Sequence, residues 1–497
     1  MRHFFALGWF WLISCGAAWA QAPQQPARFE LALQPATSDV EVLPLPDSSV
    51  ILLVHEETFS LKADKRYFQK LNADLQPVWQ KPLVVEREYE LVRTCSEGAQ
   101  VYALFQSVYR PTHLLAVHLN GRTGIIETSA FDTRISRDIF ELKALSGRLF
   151  ATVLVDQHLT ILHLDLLTQQ MRFLPSVYEQ LPAQFTFLAD SVTKRAAFVL
   201  TQTNGMKSRL QLKQLSQDGQ LLRTEFIQAE SERNLITAQL SPGDSATRLV
   251  TGTYTLRDPR YSQGLFAADL NAGTTPGGGR NSMRFYDFLS LKHFFDFMNP
   301  AREARIRERG ARRRAAGTPM RLHYRLFMHD MLPTPEGYVM AAEVYYPRYR
   351  YSSYGGPMTT SYRQFDGYRT THTIVCGFDR QGNLLWDNTF VLKNVETFDV
   401  QQTVRLRPLP DGRLALAYLD EEDIRYKIID RTKPSPNDLL TPLRTNLAAK
   451  KEKVSYTLQE DLVTWTGTRF LAHGYQHVRP DKGTGRDVFF VNAIVFE

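Results

Sequence analysis

With 43% hydrophobic and 11% aromatic side chains over 497 residues, the chain has the make-up of a folded protein. That composition excludes intrinsic disorder and leaves room for several small domains or one large β architecture. The formal charge of +7 is concentrated in residues 302–314, "REARIRERGARRR", whose seven Arg and two Glu supply +5. What remains is near neutral, which excludes a global basic field for nucleic acid or an anionic membrane.

Residues 1–20 read as a signal peptide: one firm positive charge, an apolar run from Phe4 to about Ser14, and Ala18-Trp19-Ala20 ahead of Gln21. Cleavage there predicts an exported mature chain, 21–497, forming one domain. The same segment contains Leu12-Ile13-Ser14-Cys15, which resembles a lipobox and offers an alternative, a lipid anchor on Cys15. The apolar run is too short for a transmembrane helix, and no later stretch is long and apolar enough to span a bilayer. Cys95 and Cys376 are too few for a disulfide framework and too far apart in sequence for a CxxC site, so both are expected as free thiols.

From residue 27 onward one grammar repeats: apolar strand, polar turn, apolar strand. Hairpins of this kind occur at 40–56, 90–106, 140–155, 185–202, 236–254, 326–346, 403–421 and 458–476, with turns near 47, 97, 147, 191, 243, 336, 411 and 467. A second hairpin follows the first within each period, as in "GFDRQGNLLWDNTF" at 377–390. Two hairpins every 45 to 55 residues give a four-stranded antiparallel unit, and the series resembles a β-propeller. The expected fold is therefore all-β, about eight four-stranded blades, with seven as the alternative and two stacked β-sandwiches as the rival architecture. Blade motifs are sparse, since Trp falls at the repeat position only at Trp79 and Trp386 and the WD dipeptide occurs once, at Trp386-Asp387. Three strands end the chain, the last at 487–497, so "ARFELALQP" at 27–35 is predicted to pair with it as the fourth and close the ring.

Two insertions interrupt the period. In the first, 288–320, Phe288, Leu291, Phe295 and Met298 recur at helical spacing, and Asn299-Pro300 predicts the end of one helix and the start of a second, Arg-rich one between blades five and six. That second helix carries no apolar stripe, so it is expected to be solvated or held by a partner. The second insertion, 345–369, separates the second and third strands of blade six and is rich in Tyr and Arg. Its Gly and Pro residues predict irregular structure. Connections between blades and loops between second and third strands leave a propeller on one face, which makes the two insertions neighbours. Arg312, Arg313, Arg314, Tyr349, Tyr351 and Tyr354 are the candidate binding residues, because Tyr gives rigid amphipathic area and Arg a forked donor.

Catalytic and metal motifs are weak by comparison. His473 and His477 are four apart, but on a strand that spacing separates them by about 13 Å. "LDEED" at 419–423 lacks the spaced ligands of a calcium loop and reads as a hairpin turn. "GTTPGGGRNS" at 273–282 lacks the Lys-Ser/Thr of a phosphate loop and reads as a loose loop. No cofactor is predicted. Two functions stay open: a non-catalytic scaffold of the cell envelope that binds a protein or polysaccharide through the blade five to six face, and a glycan hydrolase or lyase, or a quinone-dependent enzyme, with its site in the central channel.

Overall fold

The fold is drawn from a computed structural model. It describes residues 22–58, 64–133, 139–155, 158–174, 179–180, 185–203, 208–228, 233–243, 248–271, 283–352, 362–393, 395–431, 435–436, 439–445, 452–480 and 483–497. Residues 1–21 with Cys15, the glycine-rich stretch 273–282 and Tyr354 lie outside these residues.

The described strands form eight antiparallel sheets, and the chain is an eight-bladed β-propeller. Blade one comprises Ser38–Pro44, Val50–Glu56, Lys65–Leu71 and Pro77–Pro82, paired in that order. Blades two to seven follow over 89–132, 139–173, 185–228, 234–287, 325–391 and 405–442. First strands of successive blades touch one another, which places them innermost around the channel. The predicted hairpin turns all fall between first and second strands. At the turn of blade three, Ser146 and Gly147 have φ of 53° and 76°, the left-handed pair that a two-residue hairpin turn demands.

Hydrophobic side chains gather into eight separate cores, each shared by two adjacent blades. Period-two alternation explains this: in blade two, Val101, Ala103 and Phe105 face blade one, while Tyr102 and Leu104 face blade three. Second strands are consequently buried on both faces, as over Val50–Val54 and Leu249–Thr255.

The last core joins blade eight to blade one, and its sheet is completed from the other end of the chain. Arg28–Leu31 pairs with Phe489–Asn492, outside Glu452–Thr464, Arg469–Pro480 and Arg486–Val495. One side chain fastens the closure. The Arg28 guanidinium donates to Asn492 Oδ1 at 3.0 Å, Gln476 Oε1 at 2.9 Å and the Arg444 carbonyl at 3.1 Å, and lies over the Phe490 ring.

Each insertion departs in part from the local structure expected of it. The predicted helix over 288–298 is a single 3-10 turn, Phe288–Ser290, followed by turns in which Asp296 and Met298 N–H bond three residues back, because side chains engage the backbone groups of 289–293 that a helix would use. Asp387 accepts from the N–H groups of Lys292 and His293 at 3.1 and 2.6 Å, and Arg307 donates to the carbonyls of Leu289, Leu291 and Lys292 at 2.9–3.0 Å. Phe288, Leu291, Phe294 and Phe295 are thereby buried against blade six, with Phe288 stacked on Phe294 at 4.1 Å.

The Arg-rich helix does form, over Pro300–Ala315, capped by Asn299 Oδ1 accepting from Ala301 N–H at 2.9 Å. It is not free of its own protein, however. Arg307 pins it from one side and lies over the Phe295 ring, and Gly310 lets it press on Leu289, whose Cδ1 would be 2.7 Å from any added Cβ. In the second insertion, 345–352 and 362–369 are likewise not irregular: blade six's second and third strands run on into them, as Gly337–Ser352 and Tyr362–Asp379, while 353–361 lie outside the described residues. Pro347 and Gly367 sit where a strand tolerates them. Pro347 precedes a bulge, and Gly367 (φ 93°) lies so close to the Thr397 carbonyl that a Cβ would meet it at 2.5 Å.

Deleting residues 22–31 is expected to lower the melting temperature by several degrees. Arg28→Ala should act in the same direction and cost about 1–3 kcal/mol, because it strands the buried amides of Gln476 and Asn492. A melting curve unchanged by the deletion would remove the closure. Arg307→Ala should release the helix without melting the ring. Amides of 300–315 are expected to exchange faster while those of the blade strands keep their protection, and equal protection in both proteins would show that the clamp is dispensable.

Candidate functional site

Past Tyr345 the hairpin of blade six loses the support of the first strand, which pairs only with Ala342–Tyr345. Tyr346–Ser352 and 362–367 therefore project as a two-stranded arm about 20 Å long. Its two faces differ. One carries rings in sequence: Tyr345 against Tyr368 at 5.5 Å, Tyr368 against Phe365 at 5.1 Å, Phe365 against Tyr349 at 6.0 Å and against Phe398 at 6.2 Å. Tyr349 and Phe365 are each 40% exposed and Phe398 is 74% exposed, although three large rings of this kind would bury well in any core. The other face is ionic, with Asp366 between Arg350 at 2.8 Å and Arg348 at 3.3 Å, and Glu396 paired to Arg348.

Of the predicted binding residues, Tyr349 stands on the aromatic face, Tyr351 pairs with Arg363 through the backbone near the arm's end, and Tyr354 lies outside the described residues. Arg312, Arg313 and Arg314 are exposed in the last turn of the helix. The helix starts beside the arm, where Arg302 acts electrostatically on Tyr346, and its far end lies by blade five, with Arg314 4.0 Å from Asp287. Eleven helical residues separate Arg302 from Arg313, about 16 Å. The two insertions thus share a face, but the three arginines do not form one compact patch with Tyr349. Arg302 is the helix residue next to the arm. Phe365 and Phe398 were missed by sequence reading because they belong to strand-like stretches whose twins elsewhere are buried.

On the same face, across the ring, a cavity of about 460 Å³ opens between blades eight, one and two. Its lining comes from the starts of first strands (Asp39, Glu41, Glu90), the ends of second strands (His55, Phe105, Tyr475) and the starts of third strands (Arg66, Phe489). A bulge in the innermost strand of blade eight, between Leu458 and Asp461, holds Gln459 at φ 50° and brings it to the cavity wall. Gly474 permits that bulge, since a Cβ there would meet Glu460 Cα at 3.0 Å.

Titration behaviour reflects this concavity. Burial pushes the Glu41 carboxyl up, with Asp39 and Asp461 adding to the effect and a hydrogen bond from Thr94 opposing it. His473 is held down to about 4 by burial. His477 faces away in another contact, its Nδ1 2.7 Å from Asp487, so the two histidines do not meet. Farther along the channel, Lys143 of blade three reaches to 3.7 Å from Asp330 of blade six. Burial alone would lower this ammonium, but Asp330 and Glu141 outweigh it and its pKa is raised. Cys95 and Cys376, in blades two and six, are free thiols. Burial lifts Cys95 to about 12 and Cys376 well above the ordinary thiol value, so neither is an activated nucleophile.

The architecture defines the class, an eight-bladed β-propeller with a projecting arm. The solved structures it resembles include the polysaccharide lyase Uly1, at 9% identity over 81% of this chain and 89% of that one, with a TM-score of 0.40. They also include the Dos1 propeller, at 10% identity over 95% of each chain and a TM-score of 0.40. The β-propeller domain of the Trilobed protease from Pyrococcus furiosus is a third, at 7% identity over 81% of this chain and 96% of that one, with a TM-score of 0.35. At such identities the likeness extends to the fold alone. No protein-family model and no curated protein matches the chain.

Glu460, in the same bulge, gives a pH dependence. Burial raises its carboxyl to about 7, helped by Asp420 and Glu421 and opposed by a hydrogen bond from Glu421 N–H at 2.7 Å. The folded protein keeps this proton above the unfolded value of 4.5, so the associated stability is complete below 4.5 and is lost as pH rises to about 7. Glu460→Gln retains the acceptor and removes the charge. Its melting temperature should gain on the wild type between pH 4.5 and 7 and hold that lead above. Parallel curves across the range would refute the assignment.

Proposed function

We propose that the chain is an exported, non-catalytic binding protein of the cell envelope that captures a protein partner through the arm of blade six. The observation that carries this reading is the row of exposed rings formed by Tyr349 and Phe365, on a ribbon beyond the support of the blade's first strand, and by Phe398 beside them. Exposed aromatics on a rigid element are what dominate binding energy at protein interfaces. The ribbon also offers an edge strand whose backbone groups can pair with an added strand. Arg302, Arg305 and Arg309 lie on the exposed side of the adjacent helix and favour an acidic partner by steering it. Export rests on residues 1–20 and their cleavage pattern.

The test is capture from envelope extract by the purified mature chain. Replacing Tyr349, Phe365 and Phe398 by Ser should leave the melting curve unchanged and weaken capture at least about tenfold. Replacing Arg312, Arg313 and Arg314 by Gln should weaken it less, and chiefly at low salt. Equal capture by the folded aromatic variant would sink the arm as the binding element. Capture that survives protease digestion of the extract would assign the partner to polysaccharide instead. Residues 1–25 fused to an alkaline phosphatase that is active only after export should yield active enzyme, and an inactive fusion would remove the localisation.

A further inference from the structure

We propose that the cavity between blades eight, one and two binds an organic cation, a primary ammonium or guanidinium group. Four carboxylates line it, Asp39, Glu41, Glu57 and Glu90, against one permanent cation, Arg66. The hydrogen-bonding state of the wall points the same way as its charge.

Three of its donors, on Arg66, His55 and Tyr475, are engaged within the protein, while the Gln459 amide can turn either its carbonyl or its NH2 to the cavity. Arg66 donates to the carbonyls of Tyr89 at 2.8 Å and Glu86 at 3.4 Å and lies over the Phe105 ring. His55 Nε2 pairs with Asp64 at 3.2 Å, and the Tyr475 hydroxyl donates to the Ser38 carbonyl at 2.8 Å. Its acceptors are open. The carboxylates of Asp39, Glu57 and Glu90 are exposed and make no hydrogen bond or close ion pair among the described residues, Glu90 acting on Arg66 only at longer range. His473, held neutral, likewise makes no side-chain hydrogen bond among them and presents one lone pair and one N–H.

A wall with three unpaired carboxylates, whose one permanent cation is turned to backbone carbonyls, complements a ligand rich in N–H groups. Among the described residues, no three His, Cys, Asp or Glu side chains are close enough to hold one metal ion. The carboxylates are spread around the wall, which suits a cation with several N–H groups on an extended frame. The floor of Leu53, Leu91, Phe105 and Phe489 covers the aliphatic part of such a molecule, and the rings offer π-faces to its charge. A volume of about 460 Å³ accommodates a polyamine or an arginine-like side chain. This site lies across the ring from the arm and stands independently of it.

The experiment is calorimetric titration of the mature chain at low ionic strength. The probes are spermidine as a free amine, a blocked Ala-Arg-Ala tripeptide as a side-chain source, and 1,4-butanediol as an uncharged control. Saturable one-to-one binding of at least one cation is expected, with none for the diol, and the tighter probe tells whether the group arrives free or on a peptide. Asp39→Asn/Glu90→Gln should weaken that binding at least about tenfold, since two charge-assisted acceptors are lost. Asp74→Asn/Glu127→Gln removes the same charge from exposed positions elsewhere and should leave binding unchanged. Glu57→Gln, at an exposed position outside any strand, supplies the comparison if the double variant is unstable, with weakened binding again expected. No saturable cation binding, equal binding of the diol, or equal weakening by the control pair would overturn the proposal.

Discussion

A four-stranded sheet that is apolar on both faces must be covered on both, and where each cover is another such sheet that requirement ends only when the last sheet meets the first. Here the eight cores run between neighbouring blades and leave none of them a private interior. Stability of every blade therefore depends on closure, which falls to four residues, Arg28–Leu31, and to the polar contacts of Arg28. Gln25 extends the clasp to blade seven, donating to the Pro442 carbonyl and accepting from Arg444 N–H, both at 2.8 Å. A propeller closed with a strand from the opposite terminus couples the two ends of the chain and gives the last blade the same four strands as its neighbours.

Polar side chains carry out the work where the repeat is broken. Glu97 of blade two accepts from two N–H groups in the turn of blade three, at 2.7 and 3.0 Å. Between blades six and seven, Glu343 accepts from Thr403 N–H and Val404 N–H at 2.8 Å and lies 2.9 Å from His329 Nε2, all within the interior. Asp387 and Arg307 do the same for the aromatic insertion, and burial there holds His372, stacked on Phe297 at 3.9 Å, down to about 3. Each of these groups replaces hydrogen bonds that regular structure would otherwise supply.

Because blades are fixed by mutual packing, variation is confined to the strand ends, and this propeller places both of its unusual features on one face. Blade six extends its second and third strands into the arm, while blades eight, one and two leave the acidic cavity at the channel mouth. A basic helix lies beside the first and carboxylates line the second. The molecule's positive charge is thus opposed by a local acidic site across the same surface, and the channel between them is crossed by Lys143 and Asp330.

Strand number, turn positions, blade count and the pairing of the termini were legible in the sequence, because period-two alternation and polar turns are local signals repeated eight times over. Local signals also misled. Phe288, Leu291 and Phe295 have helical spacing, but the acceptors and donors that decide their backbone, Asp387 and Arg307, come from 95 and 16 residues away. Pro347 and Gly367 read as breakers, yet a bulge and a close approach to Thr397 accommodate them within strands. Asp39, Glu41 and Glu90 looked like ordinary polar positions of alternating strands. Only the ring brings these acids to one cavity with His473, because which inner strands adjoin is settled by closure and not by any spacing along the chain.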